Sequence, residues 1–139
     1  MIVRETQIRV RYAETDQMGV VYYGVYPQYF EVGRAEFIRD MGLSYREMEA
    51  LGVMMPVVDM HVRYLRPARY DEMLRLRTSL AKLPNRRITL RTEVFNEADA
   101  LCSVGKVTLT FFDRQAGTTI PAPAAFLKTL QAHWPREES

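Results

Sequence analysis

A carboxylate, a glycine three residues on and a helix start four residues beyond that form the arrangement in this chain best able to do chemistry: Asp16, Gly19 and Tyr23. A carboxylate such as Asp16 can attack a carbonyl carbon directly to give a mixed anhydride, or it can orient and deprotonate a water. Gly19 lets the chain turn with no side chain in the way. Backbone N–H groups near Tyr23 can then face an oxygen on which negative charge develops, helped by the helix dipole. Such a donor is typically worth about 3 kcal/mol of barrier. By itself, Thr15-Asp16-x-x-Gly19 reads first as a turn or a helix cap, and it needs context to become a site. Arg86 and Arg87, just past the turn Pro84-Asn85, are the second candidate group. Guanidinium forks suit phosphates, and the competing reading is a solvated charge pair on a hairpin. Arg63, Arg66 and Arg69 offer the same chemistry from weaker positions.

Other chemistries lack their parts. His61 and His133 beside a lone Cys102 do not supply the ligands of a structural zinc site, so no metal is expected. Cys102 has no partner for an internal disulfide and fits a reducing, cytoplasmic setting. His61 alternates with Met60 and Val62 and reads as a packed or edge residue of a strand. Gly42-Leu43-Ser44 lacks the second glycine of a nucleophile elbow, and Ser44 has a capping role already. A formal charge of +2 on 139 residues suits an anionic small ligand and falls short of the concentrated charge of a nucleic-acid binder. No run approaches the roughly 18 apolar residues of a membrane span. Arg4 and Glu5 stand where a signal peptide's apolar region would begin. A soluble protein with no stable membrane insertion is therefore expected.

The elements that must position these residues follow from periodicity. At 47% hydrophobic and 26% charged, residues 1–139 have the size and composition of one globular domain. Residues 2–12 end in strict alternation, with Ile8, Val10 and Tyr12 on one face and Arg9 and Arg11 on the other, which predicts a half-buried strand. Tyr26, Phe30, Gly33, Phe37 and Met41 recur at spacings of four and three, one face of a helix over about 24–41. Pro27 fits its first turn and Gly42 its end. Gly33 on the buried stripe predicts close approach to a flat surface, since glycine there otherwise costs about 1 kcal/mol relative to alanine. Glu31 with Arg34 and Glu36 with Arg39 stand three apart, where opposite charges pair. Ser44 and Glu47 make a capping box for a short helix reaching Leu51. Alternation then predicts strands around Met60–Tyr64 and Leu74–Leu80, followed by strands near 86–95 and 101–113, with turns at Pro84-Asn85 and Asn96–Ala100 between them. Pro121 and Pro123 lead into a last amphipathic helix. One strand, a long helix, a short helix and four strands amount to an α+β antiparallel sheet of about five strands on one dominant helix.

The segment Tyr12-Ala13-Glu14-Thr15-Asp16-Gln17-Met18-Gly19-Val20-Val21-Tyr22-Tyr23 resembles the signature of the 4-hydroxybenzoyl-CoA thioesterase-like hotdog family, which includes the Tol-Pal-associated acyl-CoA thioesterases. Phe30-Glu31-Val32-Gly33-Arg34-Ala35-Glu36 looks like its helix motif, and Tyr64-Leu65-Arg66-Pro67-Ala68-Arg69-Tyr70-Asp71 like its later strand and turn. The resemblance implies a sheet curled around the long helix. It also implies homodimers joined sheet edge to sheet edge, often homotetramers, with active sites formed between subunits and no cofactor. It implies hydrolysis of an acyl-CoA, with Asp16 as the essential carboxylate, Gly19 and the Tyr23 backbone N–H at the oxyanion, and Tyr26, Arg86 and Arg87 binding substrate, the two arginines at the nucleotide end of CoA. The Tol-Pal-associated branch usually carries histidine where Tyr23 stands, and the hydroxybenzoyl branch asparagine where Val25 stands, so here the donor implied is the backbone. The rivals are a hotdog module that binds acyl-CoA or acyl carrier protein without hydrolysis, and a hydratase, which would carry a histidine within the signature. Whether the acyl group is aliphatic or aromatic is open at this level.

Overall fold

The computed structural model describes residues 1–136. Strand β1 (Ile2–Arg9) is followed by a 3-10 turn (Tyr12–Glu14), a loop, and a second 3-10 turn (Tyr23–Val25) that runs directly into the long helix α1 (Tyr26–Asp40). Then come α2 (Tyr45–Ala50), β2 (Val53–Met54), β3 (Val57–Tyr64), β4 (Met73–Leu80), β5 (Arg87–Phe95), β6 (Leu101–Asp113), β7 (Thr118–Ile120) and α3 (Ala124–His133). All pairings are antiparallel. The five long strands lie in the order β1-β4-β5-β6-β3, and the short β2 and β7 attach to the far end of β6. This is the α+β hotdog arrangement expected from the sequence, with β2 and β7 as additions too short to leave a periodic signature.

The sheet and helix meet where the pattern placed the meeting. Leu74, Leu76, Thr78 and Leu80 of β4 and Ile88, Leu90, Thr92 and Val94 of β5 are buried in strict alternation. Against them α1 buries Tyr26, Tyr29, Phe30, Gly33, Phe37 and Ile38. Gly33 is the point of closest approach. A Cβ there would stand 2.6 Å from the Thr78 hydroxyl oxygen, which is itself hydrogen-bonded to Thr92 at 3.0 Å. Pro27 sits in the first turn of α1, and Gly42 takes a positive φ of 87° beyond its end. Ser44 caps α2, its side chain accepting the Glu47 N–H at 3.2 Å.

Three expectations are corrected. The first strand ends at Arg9 rather than at residue 12, and Tyr12 is 77% exposed, packed edge-on against Tyr70. The ladder ends because its partner turns away: β4 begins at Met73, Asp71 before it takes a positive φ of 68°, and Val10 makes the last bonds, to Glu72 and Asp71 in that turn, while the Arg11 N–H is taken by the Glu14 carboxylate at 2.8 Å. The pair Glu36–Arg39 forms, but Glu31–Arg34 is absent among the described residues. Glu31 is exposed while Arg34 is buried, with Nε and Nη1 lacking a hydrogen-bond partner. Strand β3 is more exposed than its alternation predicts: Met60 and Val62 are only half-buried, Tyr64 on the same face is exposed, and His61 lies exposed at this sheet edge, opposite Lys106.

On β6, Gly105 lies directly beneath the buried Phe30 ring, and an added Cβ would overlap ring carbons Cε2, Cδ2 and Cζ. Phe30 is held between sheet and helix and has no free direction to move. Gly105→Ala is expected to destabilise the fold by about 1–3 kcal/mol through overpacking, read as a lowered Tm in thermal denaturation.

Candidate active site

Glu14 shapes the segment that carries Asp16. Its side chain is buried, and its backbone carbonyl accepts the Tyr22 N–H at 2.9 Å, closing the loop on itself. Inside that closure, Thr15 bridges Val21, and Asp16 donates its N–H to the Val20 carbonyl at 2.9 Å. Gln17, Met18 and Gly19 are then the three residues of a hairpin loop, a turn closed by Gly19 N–H to the Asp16 carbonyl at 3.0 Å. Such loops end on a residue in the left-handed region, which Gly19 occupies at φ 77°. No atom stands within 4 Å of where a Gly19 Cβ would be, so the requirement for glycine is conformational rather than steric.

The half-buried Asp16 carboxylate uses Oδ1 to accept the Met18 N–H at 2.8 Å. The turn-forming role weighed for this residue is thus present. The Oδ2 atom has no partner among the described residues. Asp16 faces a recess of about 340 Å³ lined with Val20, Val21, Tyr23, Tyr26, Tyr64, Leu65, Arg66 and Pro67. The Val21 N–H donates to Ala68 at 2.8 Å, and this bond joins the Asp16 loop to the turn that follows β3. Tyr64 stacks edge-on against both Tyr23 and Tyr26, with centroids 6.3 Å and 5.4 Å apart, and its hydroxyl donates to the Tyr23 carbonyl at 2.9 Å. The Tyr23 N–H opens the helical segment and finds no acceptor among the described residues. Tyr26 forms a buried wall, and burial pushes its phenol up to about 12.

The signature segment, the helix start and the strand–turn after β3 are therefore one place in space. A family model described as the thioesterase-like superfamily matches residues 10–130. The chain belongs to that superfamily. It is 40% identical over 101 residues to YneP of Bacillus subtilis, covering 73% of each chain. It is 30% identical over 106 residues to the acyl-CoA thioester hydrolase YbgC of Escherichia coli, covering 76% of this chain and 79% of that one. Among solved structures, a DHNA-CoA thioesterase from Staphylococcus aureus superposes with a TM-score of 0.89 at 33% identity, covering 95% of this chain and 91% of that one.

In this thioesterase-like chain the remaining candidates divide. Arg86 and Arg87 line a different groove, of about 770 Å³, together with Lys82, Arg91, Lys106 and the loop after β4. That groove shares no lining residue with the Asp16 recess. Of the three weaker arginines, Arg66 lines the Asp16 recess, Arg69 is exposed with its N–H on Glu72, and Arg63 is exposed on β3. Sequence reasoning missed Tyr64, which it read only as the apolar side of a strand, and it missed the partnership of Glu14 with Tyr29. The Tyr29 hydroxyl donates to Glu14 Oε1 at 3.0 Å across fifteen residues of chain, a separation without periodicity to reveal it.

The buried tyrosines have a consequence for alkaline stability. Burial holds the Tyr26 and Tyr29 phenols above their ordinary value of 10.0, and the Glu14 carboxylate adds to the effect at Tyr29. Above that value the unfolded chain has released protons that the folded chain keeps, so stability is intact below about pH 10 and falls as pH rises toward the folded values. A series of Tm measurements should show this decline, and Tyr26→Phe should make it shallower while Tyr29 continues to contribute.

Proposed function

We propose that this chain hydrolyses the thioester of a small or medium acyl-CoA to the free acid and CoA, with Asp16 as the reacting carboxylate and the Tyr23 N–H as oxyanion donor. The observation that carries the reading is the recess itself: Asp16, Tyr23 and Tyr26, separated along the chain, line one concavity at a helix start. The names of YbgC and of the Staphylococcus aureus enzyme point to the same reaction class.

In the proposed reaction the Asp16 oxygen not held by Met18 attacks the thioester carbon, or deprotonates a water that does. The carbonyl π electrons move to oxygen, where the Tyr23 N–H and the positive end of the helix segment stabilise the charge. Collapse of the intermediate breaks the C–S bond. The CoA thiol needs no strong acid to leave, because its pKa should be near that of cysteine, about 8.5. On the nucleophilic path, water then cleaves the anhydride and restores the carboxylate. Gly19 serves by allowing the turn that holds Asp16, and Tyr26 by forming the wall behind the acyl group.

Arg86 and Arg87 are assigned to the phosphates of CoA. Their groove is distinct from the Asp16 recess of the same chain, so a homodimer or homotetramer that sets one protomer's recess beside its partner's groove accounts for both. The open edge of β3, with Val57, Val58, Tyr64 and Leu65 exposed, is the surface that suits a second copy. A reducing cytoplasmic compartment accords with the free, buried Cys102.

A panel of acyl-CoA substrates, followed by free-thiol release, tests this reading. Asp16→Ala is expected to lose about a hundredfold or more in kcat while CoA affinity stays near wild type. Retention of a tenth of the turnover would make Asp16 a turn residue only. Joint replacement of Arg86 and Arg87 by alanine should raise KM and weaken its dependence on salt, with kcat roughly unchanged. An unaltered KM would return both arginines to the solvated surface.

A further inference from the structure

Glu14 stands two residues before Asp16, and its carboxylate is 5% exposed. Its two oxygens are nearly saturated with donors. Oε1 accepts the Arg11 N–H at 2.8 Å and the Tyr29 hydroxyl at 3.0 Å, while Oε2 accepts from the Arg11 guanidinium at 3.2 and 3.1 Å. Its backbone carbonyl holds the Tyr22 N–H at 2.9 Å, and the next N–H along the chain is that of Tyr23. One residue thus stands next but one to Asp16, bonds to the residue before Tyr23 and reaches α1 at Tyr29, which is fully buried. The phenol of Tyr29 is held far above its ordinary range by burial and by the carboxylate beside it, so it remains a donor wherever the protein is folded.

We propose that Glu14 is a positioning residue: its hydrogen bond to Tyr29 fixes the loop bearing Asp16 against the helix whose start presents the Tyr23 N–H. The tie is specific in geometry. Tyr29 lies fully buried in the helix–sheet contact, so the Glu14 carboxylate is tied to a packed surface, and Asp16 inherits that tie through one intervening residue. A displacement of about 1 Å at such a distance can remove about a hundredfold in rate. Arg11 contributes its backbone N–H at 2.8 Å and a largely exposed guanidinium from within the same turn, so Tyr29 is the partner that ties the carboxylate to the helix.

This inference rests on Asp16 acting at the carbonyl, and the test separates the two. Tyr29→Phe removes only the hydroxyl and keeps the buried ring, so it is expected to fold. Its kcat should fall about tenfold or more with KM unchanged, normalised to folded protein. Glu14→Gln keeps an oxygen acceptor at the same length and should retain kcat within a few-fold, whereas Glu14→Ala should lose it as Tyr29→Phe does. The double variant Glu14→Ala with Tyr29→Phe should be no slower than the worse single one, because both cut the same tie. Should Glu14→Ala fail to fold, Tyr29→Phe decides alone. A folded Tyr29→Phe enzyme with wild-type kcat beside an inactive Asp16→Ala overturns the tie and leaves the site reading standing. An active Asp16→Ala overturns both, since nothing would then remain to be positioned.

Discussion

A buried carboxylate must find donors or unbalance the structure around it, and the arrangement of this molecule near its site follows from how Glu14 finds them. An ionised group out of water without partners costs several kcal/mol. Glu14 draws its donors from Arg11 and Tyr29, so the chain must leave the sheet just after β1 and must pass close to α1. The 3-10 turn that follows β1 is the local form of that satisfaction, with Arg11 and Glu14 at its two ends, and the Glu14 backbone carbonyl separately closes the loop on the Tyr22 N–H. Asp16 is then held at the head of a short hairpin rather than in a free loop.

The anchorage is only as rigid as the surface Tyr29 belongs to, and that surface depends on two glycines. Gly33 brings the α1 backbone down onto the Thr78–Thr92 pair, and Gly105 leaves room on β6 for the Phe30 ring. Side chains at either position would lift the helix from the sheet. Close packing of this kind transmits displacement instead of absorbing it, since protein interiors are as dense as organic crystals. The helix can therefore serve as a fixed reference for a loop, which has little intrinsic stiffness of its own.

Much of this was legible in the residues. Period-two burial in β4 and β5, the helix stripe from Tyr26 to Met41, the stop at Gly42, the Ser44 cap and the need for a flat neighbour at Gly33 each rest on short-range rules that hold whatever the rest of the chain does. What escaped was governed by distant partners. The alternation running to Tyr12 is real, but the partner strand begins only at Met73, after a turn in which Asp71 takes a positive φ, so the ladder has nothing to pair with past Val10. Spacing allows Arg34 to reach Glu31, but the turn of the helix buries one and exposes the other. β2 and β7, of two and three residues, exist only because β6 is long enough to offer them an edge. For the site, the Asp16-Gly19-Tyr23 spacing located the loop and helix start. Tyr64 and Arg66 join them through pairing of β3 with β6, which no local pattern encodes.

The electrostatics of the proposed chemistry bear on the surfaces left open. In one chain Tyr23 is 62% and Tyr64 51% exposed, so a substrate in the recess would remain in contact with water on one side. A single N–H facing an oxyanion in bulk solvent gains little over the water it replaces, whereas the same donor in a dry, fixed site gains several kcal/mol. The aromatic rim of the recess adjoins, at Tyr64, the edge of β3 that pairs with no strand among the described residues. A body docking along that edge would cover the rim and, in covering it, lower the local dielectric around Asp16 and Tyr23. In such an assembly solvent exclusion would couple docking to the proposed rate enhancement, with the packed helix–sheet contact beneath holding the donor in place as the water leaves.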